Sequence, residues 1–211
     1  EIIKKSEERE YYPLSSAQKR MFIASNLEEK TDAYNILGGI LLNNIINIEK
    51  LQKVIENIMQ ENQVLRTYFE VLDNGTIVQK IDKECKVRVH VIYAEDTSID
   101  KAFENAKKIF NLNKSPLLDI NVFLFPNRKT FLTLNVHHII CDGESLRLLI
   151  IQLAERYDGK IINKNEIDYK DFAVWEEKQL LENNFYKSKE YWKKQFEDGV
   201  PILNMPTTYP R

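Results

Sequence analysis

The chain has 211 residues, 43% of them hydrophobic and 29% charged, with a net charge of −2. That describes one sizeable globular domain and gives no electrostatic case for nucleic acid or an anionic membrane. No apolar run reaches the ~20 residues of a membrane span, and Cys85 and Cys141 are too few for a disulfide framework, which points to a reducing, cytoplasmic compartment.

Residues 1–11 are mostly charged and are expected to fray. Because residue 1 is Glu and no apolar signal segment follows it, the chain is expected to be cut from something longer. A helix should start after Pro13: Ser15 and Gln18 are spaced as a capping box, and Ala17, Met21, Phe22 and Leu27 supply apolar positions. Tyr34 to Leu42 reads as a strand. Leu51, Val54, Ile55, Ile58 and Met59 fall at i, i+3, i+4, i+7 and i+8, the stripe of an amphipathic helix.

Thr67–Val71 and Ile77–Ile81 read as strands joined by the Asp73-Asn74-Gly75 turn. Val87, Val89 and Val91 alternate with Arg88, His90 and Ile92, which marks another strand. Ile99 to Phe110 carries a helical stripe. Leu117 to Phe125 and Thr130 to Ile139 read as paired strands across Pro126-Asn127-Arg128. Ser145 to Tyr157 is apolar nearly all round and predicts a buried helix. Asp171 can cap a helix running to Leu181, a further helix covers Phe185 to Phe196, and the proline-rich tail 201–211 should be extended. The fold class is α+β, with a mixed or mostly antiparallel central sheet flanked by helices.

The chemistry concentrates in Asn135-Val-His137-His138-Ile-Ile-Cys141-Asp142-Gly143-Glu144-Ser145, where a strand gives way to a helix. Strand alternation puts His138 on the face of Leu132, Leu134 and Val136, and His137 on the other face with Asn135. One histidine is therefore functional and the other supportive. Gly143 permits a tight turn, and Asp142 can fix that turn or pair with an arginine. An imidazole is the usual proton carrier near neutral pH. On spacing alone, a satisfied strand histidine is the simpler reading. A metal site is poorly supported because adjacent strand histidines diverge and no third ligand lies nearby. Nothing marks Cys141 as an activated thiol, and His90 has no assigned role.

Five segments in register change that balance. The chain resembles the condensation domains of nonribosomal peptide synthetases. His137-His138-Ile-Ile-Cys-Asp142-Gly143 matches that family's central HHxxxDG motif. Ser16-Ala-Gln18-Lys-Arg20-Met21 is similar to its first motif, and Val64-Leu-Arg66-Thr67-Tyr-Phe69 to the second half of its second. Tyr169-Lys-Asp171-Phe172-Ala-Val-Trp175 is similar to its fourth. Tyr191-Trp192 and Leu203–Arg211 resemble the approach to the family's second lobe. Two departures stand out. Glu61-Asn62-Gln63 replaces the usual Arg-His-Glu opening of the second motif, and Glu144 stands where a Trp often follows the Asp-Gly.

The resemblance implies a chloramphenicol acetyltransferase-like fold. Residues 1–211 would form the N-terminal lobe of a two-lobe unit, without its facing wall and by that token expected to be inactive alone. It implies amide-bond formation between a donor acyl or peptidyl thioester and the amine of an acceptor aminoacyl thioester. Both would be held on phosphopantetheine arms of carrier proteins, with no cofactor bound directly. His138 would be the active-site histidine and His137 its buried neighbour. Asp142 would be structural, paired with Arg66 or, failing that, Arg20. Gly143 would allow close approach of substrate, and Ser145 would cap the following helix. Phe172, Trp175 and Trp192 are expected to be core or lobe-packing anchors, and Gln18 and Arg20 framework. Implied partners are donor and acceptor carrier proteins, the C-terminal lobe and an adjoining adenylation domain, in bacterial antibiotic or secondary-metabolite synthesis. A silent carrier-docking module and an epimerization domain are the competing readings.

Overall fold

A computed structural model describes residues 2–27, 31–163, 165–202 and 206. The order is β1 (Tyr12–Pro13), α1 (Ser16–Leu27), β2 (Asn35–Leu42), α2 (Ile48–Glu61), a 3-10 turn (Gln63–Arg66), β3 (Thr67–Val71), β4 (Ile77–Ile81) and β5 (Val89–Tyr93). It continues with α3 (Ile99–Asn105), β6 (Leu118–Leu124), β7 (Thr130–His137), α4 (Gly143–Tyr157), α5 (Tyr169–Leu181) and α6 (Tyr186–Gln195). The strands form a small sheet in the order β1-β4-β3 and a larger one in the order β2-β7-β6-β5. The larger sheet is mixed: β5 runs parallel to β6 and the other pairs are antiparallel.

Alternation along β6 and β7 builds the core. Leu118, Ile120, Val122, Leu132, Leu134 and Val136 are buried on one face, where they meet Leu51, Val54, Ile55, Ile58 and Met59 of α2. The opposite face carries Phe123 and Phe131 under Ala102 and Phe103 of α3. Gly39 in β2 is required there, because a Cβ would lie 2.4 Å from the Phe131 ring.

The α+β assignment and the mixed sheet agree with the sequence reading, and several boundaries differ. The α3 helix stops at Asn105 instead of Phe110. Lys108 reaches Asp119 at 2.6 Å while its carbonyl accepts from Asn35, which draws this stretch along the sheet. The α4 helix is not buried all round: Leu146 and Leu153 are inside, but Leu148 is 46% exposed. Apolarity on every side does not distinguish a helix packed on all sides from one whose second face lines an open cleft. The N-terminal stretch expected to fray is tied down at Ser6, whose N–H and hydroxyl both donate to Asp171 Oδ1 (2.9 and 2.7 Å). Trp175 packs half-buried on Phe172 as expected of an anchor, whereas Trp192 is 57% exposed and stacks on Phe196. The expected extension of the tail concerns residues that lie mostly outside those described. Among the described residues, no helix is long and apolar enough to cross a membrane.

Candidate active site

The end of β7 sets the site. The His137 N–H donates to Leu117 O (3.0 Å), inside the larger sheet. One residue on, the His138 N–H donates to Tyr34 O (2.8 Å), and the Ile140 N–H turns back to His137 O (3.1 Å). The turn leaves His137 buried and His138 exposed. The division of the two histidines between opposite sides follows from strand alternation, as the sequence implied.

His137 is locked from both ring nitrogens. Nδ1 accepts from the Ile139 N–H at 3.1 Å, so the ring proton sits on Nε2, which faces Ser25 Oγ at 3.4 Å. Burial, with the neighbouring His138 adding to it, lowers the His137 pKa to about 4. At neutral pH this ring is an uncharged hydrogen-bonding brace for the turn that presents His138.

His138 opens into a cleft of about 590 Å³. Two helices form its walls. The α1 helix contributes Ala17, Arg20, Met21 and Ala24, and α4 contributes Ser145, Leu148, Leu149 and Gln152. Each set falls at i, i+3, i+4 and i+7, one stripe of a helix. Asn62, Val64 and Leu65 close one end, and Ile139 to Asp142 form the floor beside His138.

Asp142 is the N-cap of α4: its Oδ1 accepts the Ser145 N–H at 2.7 Å. The Ser145 hydroxyl and amide, with a smaller contribution from His138, hold the Asp142 carboxyl below its usual range. This corrects two expectations. Asp142 is exposed and does not pair with Arg66. The Arg66 guanidinium is buried and donates to the carbonyls of Met59, Gln60 and Asp82, the open C-terminal end of α2 and the start of the loop after β4. Nor does Arg20 take its place, since it is exposed on the α1 wall. Ser145 gives its N–H to the cap instead of being the cap. Gly143 begins the helix without a positive φ, and a Cβ there would meet nothing within 4 Å. The tight-turn role expected of it is therefore not what the backbone requires.

Burial, with Asp142 adding to it, pushes the Cys141 thiol up to about 12, which removes it as a nucleophile at neutral pH. Glu144 makes a two-point ion pair with Arg147 on the exposed side of α4 and does not line the cleft. Gln18 completes the Ser15 capping box and exchanges side-chain amide contacts with Gln79, a framework role.

The altered second motif has a structural counterpart that sequence reading missed. Glu61 receives both terminal nitrogens of Arg156, NH1 at 3.1 Å, and so ties the end of α2 to the end of α4. Asn62 caps α2: its backbone N–H and its Nδ2 both donate to Ile58 O. The Gln63 N–H donates to Asp168 Oδ1 just before α5. Glu61 and Arg156 are 95 residues apart, so no local pattern announces the pair.

This fold is that of the condensation domains. The family model for the condensation domain matches residues 8–211, and the chain belongs to that family. Surfactin synthase subunit 1 of Bacillus subtilis (strain 168) is 32% identical over 209 residues, 99% of this chain and 6% of that protein. Gramicidin S synthase 2 of Brevibacillus brevis is 35% identical over 203 residues, 96% of this chain and 4% of that protein. Among solved structures, the X-domain complex from teicoplanin biosynthesis superposes with a TM-score of 0.87 at 19% identity, covering all of this chain and 49% of that one. The condensation domain of the monacolin K polyketide synthase gives 0.78 at 16% identity, over 92% of this chain and 48% of that one. The chain thus spans about half the length of these solved domains and a small fraction of the curated synthetases.

Proposed function

We propose that the chain is the N-terminal half of an amide-forming condensation domain. It would transfer an acyl or peptidyl group from one carrier-bound thioester to the amine of a second. Both substrates would be phosphopantetheine thioesters, and the partners would be donor and acceptor carrier proteins together with the second half of the domain. The observation that carries this reading is the His138 ring, exposed on the floor of a cleft while its neighbour is withdrawn as a brace.

An α-amino group titrates near ~7.7–8.0, so part of the acceptor is already nucleophilic at neutral pH. His138 then serves to orient the amine and to accept its proton as the tetrahedral species forms. The thioester carbon gains the C–N bond, the proton leaves nitrogen for the imidazole, and collapse breaks the C–S bond to expel the thiolate, which takes that proton from the imidazolium. The open space around Gly143 leaves room for substrate to come close to the first turn of α4.

The test is His138→Ala in a polypeptide carrying both halves, assayed with two loaded carriers. A positioned base or acceptor is worth about 10²–10⁴-fold, so transfer should fall at least a hundredfold. A fall below about tenfold overturns the role of His138, and a wild-type polypeptide that binds loaded carriers without turnover supports a silent docking module instead. Epimerization would appear in the same assay as inversion of the donor without transfer.

A further inference from the structure

We propose that Asn62 is a substrate-contacting residue whose side-chain carbonyl accepts a hydrogen bond from an amide N–H of the pantetheine arm. This rests on the reading of the cleft as the site for such an arm, and adds to it a contact at the position where the motif departs from its usual form.

The orientation of the Asn62 amide is fixed by chemistry. Only the NH2 end can donate, and it donates to Ile58 O at 2.8 Å, so Oδ1 is the end directed away from α2. Asn62 lines the cleft, and among the described residues nothing donates to its Oδ1. The backbone is held equally firmly. The Asn62 N–H caps Ile58 O, the preceding Glu61 is clamped by Arg156 of α4, and the following Gln63 N–H is anchored on Asp168.

Other polar groups around the cleft are committed elsewhere or free to rotate. Gln18 is bound to Ser15 and Gln79, the Tyr169 hydroxyl to Ser15, and Asp142 to the start of α4. Gln152 and Asn165 also carry amide acceptors, but among the described residues no hydrogen bond of their own fixes their direction. Asn62 is thus an acceptor with both backbone and side chain already ordered, and an N–H reaching it bears little further ordering cost.

A pantetheine arm offers two secondary amides to such a group, and an aminoacyl thioester adds an ammonium. The experiment titrates the isotopically labelled chain with pantetheine, which has the amides alone, and separately with a non-hydrolysable glycyl-pantetheine analogue. Signals of His138, Leu148 and the Asn62 side chain are followed by NMR. Pantetheine should move all three, and Asn62→Leu should weaken its binding by about threefold to tenfold, the span of one neutral hydrogen bond. Amide signals of the Asn62→Leu variant outside the cleft should stay those of the wild type, which separates loss of the contact from loss of the fold.

If pantetheine binds and the Leu variant binds equally well, the Asn62 contact is overturned and the cleft reading survives. If pantetheine moves no cleft signal, both fall. If Asn62→Asp tightens only the glycyl analogue by tenfold or more while the Leu variant leaves pantetheine unaffected, the partner is the ammonium and the amide assignment is wrong.

Discussion

A single ring makes the strongest statement at the residue scale. His137 is neutral in the fold because burial lowers its pKa to about 4, against 6.5 for an unperturbed imidazole. Protonation therefore favours the unfolded chain. The stability this ring contributes is fully present above about pH 6.5 and is lost as pH falls from there to about 4. At about 1.4 kcal/mol per pH unit the whole window is worth on the order of 3 kcal/mol. Denaturant unfolding at pH 7, 5.5 and 4.5 should show the decline, and His137→Gln should flatten it. An equal slope in both proteins would mean that another group titrates. Asp171 does not compete in this window. Burial pushes its carboxyl up, but hydrogen bonds from Lys170, Ser6 and the Asp168 N–H outweigh it and hold it at about 2. None of this partnering is readable from the sequence. Strand alternation separates the two rings, but the partner of the second His137 nitrogen, Ser25, lies 112 residues away and no local pattern announces it.

The helix after the histidines decides how Asp142 acts at the scale of the element. A severed buried ion pair would cost about 3–5 kcal/mol, whereas a lost N-cap costs about 1 kcal/mol. The 2.7 Å bond to the Ser145 N–H and the exposure of the carboxylate place Asp142 in the second class. Asp142→Ala should lower the melting temperature by roughly 2–4 °C, and Asp142→Ser, another good cap, should recover most of it. A drop above about 10 °C would return the residue to a buried-pair role.

Elements with a strong local period were legible in advance. The α2 stripe, the β3–β4 hairpin across Asp73-Asn74-Gly75 and the β6–β7 pair all form where the pattern places them. The capping box of α1 was equally plain. Legibility failed where a tertiary contact overrides the period. Lys108, inside the span expected to continue α3, turns to Asp119 instead, and α4 turns an apolar face to the cleft. Arg66 and Asp142 lie in the motifs that resemblance would join, yet each finds a nearer partner: helix-end carbonyls for one, helix-start amides for the other.

At the scale of the whole molecule, a long-range contact ties the N-terminal stretch to α5. Ser6 gives two hydrogen bonds to Asp171, 165 residues away, and Lys170 donates to both of them. Lys170 is 3% exposed and Asp171 1%, and the Lys170 ammonium also lies 5.0 Å from the centre of the buried Tyr12 ring. A buried ion pair of this kind is tolerable only while its remaining donors and acceptors are satisfied. Ser6 supplies that satisfaction, which is how a charged, apparently loose N-terminal stretch becomes part of the frame holding α5 against β1. Removing the hydroxyl with Ser6→Ala should cost about 1.5–3 kcal/mol, the range for a hydrogen bond to a charged group. The loss should also depend on pH in a defined direction. The Asp171 carboxylate stabilises the fold above about 3.8 and ceases to as pH falls through about 2, so the gap between wild type and variant should persist at neutral pH and close across that interval. Ser188→Ala, on the exposed α6 helix, is the matching control and should melt with the wild type. A Ser6→Ala protein that also melts with the wild type would mean that residues 2–11 hang free of α5 in solution, and that the fourth-motif ion pair is satisfied from within its own helix.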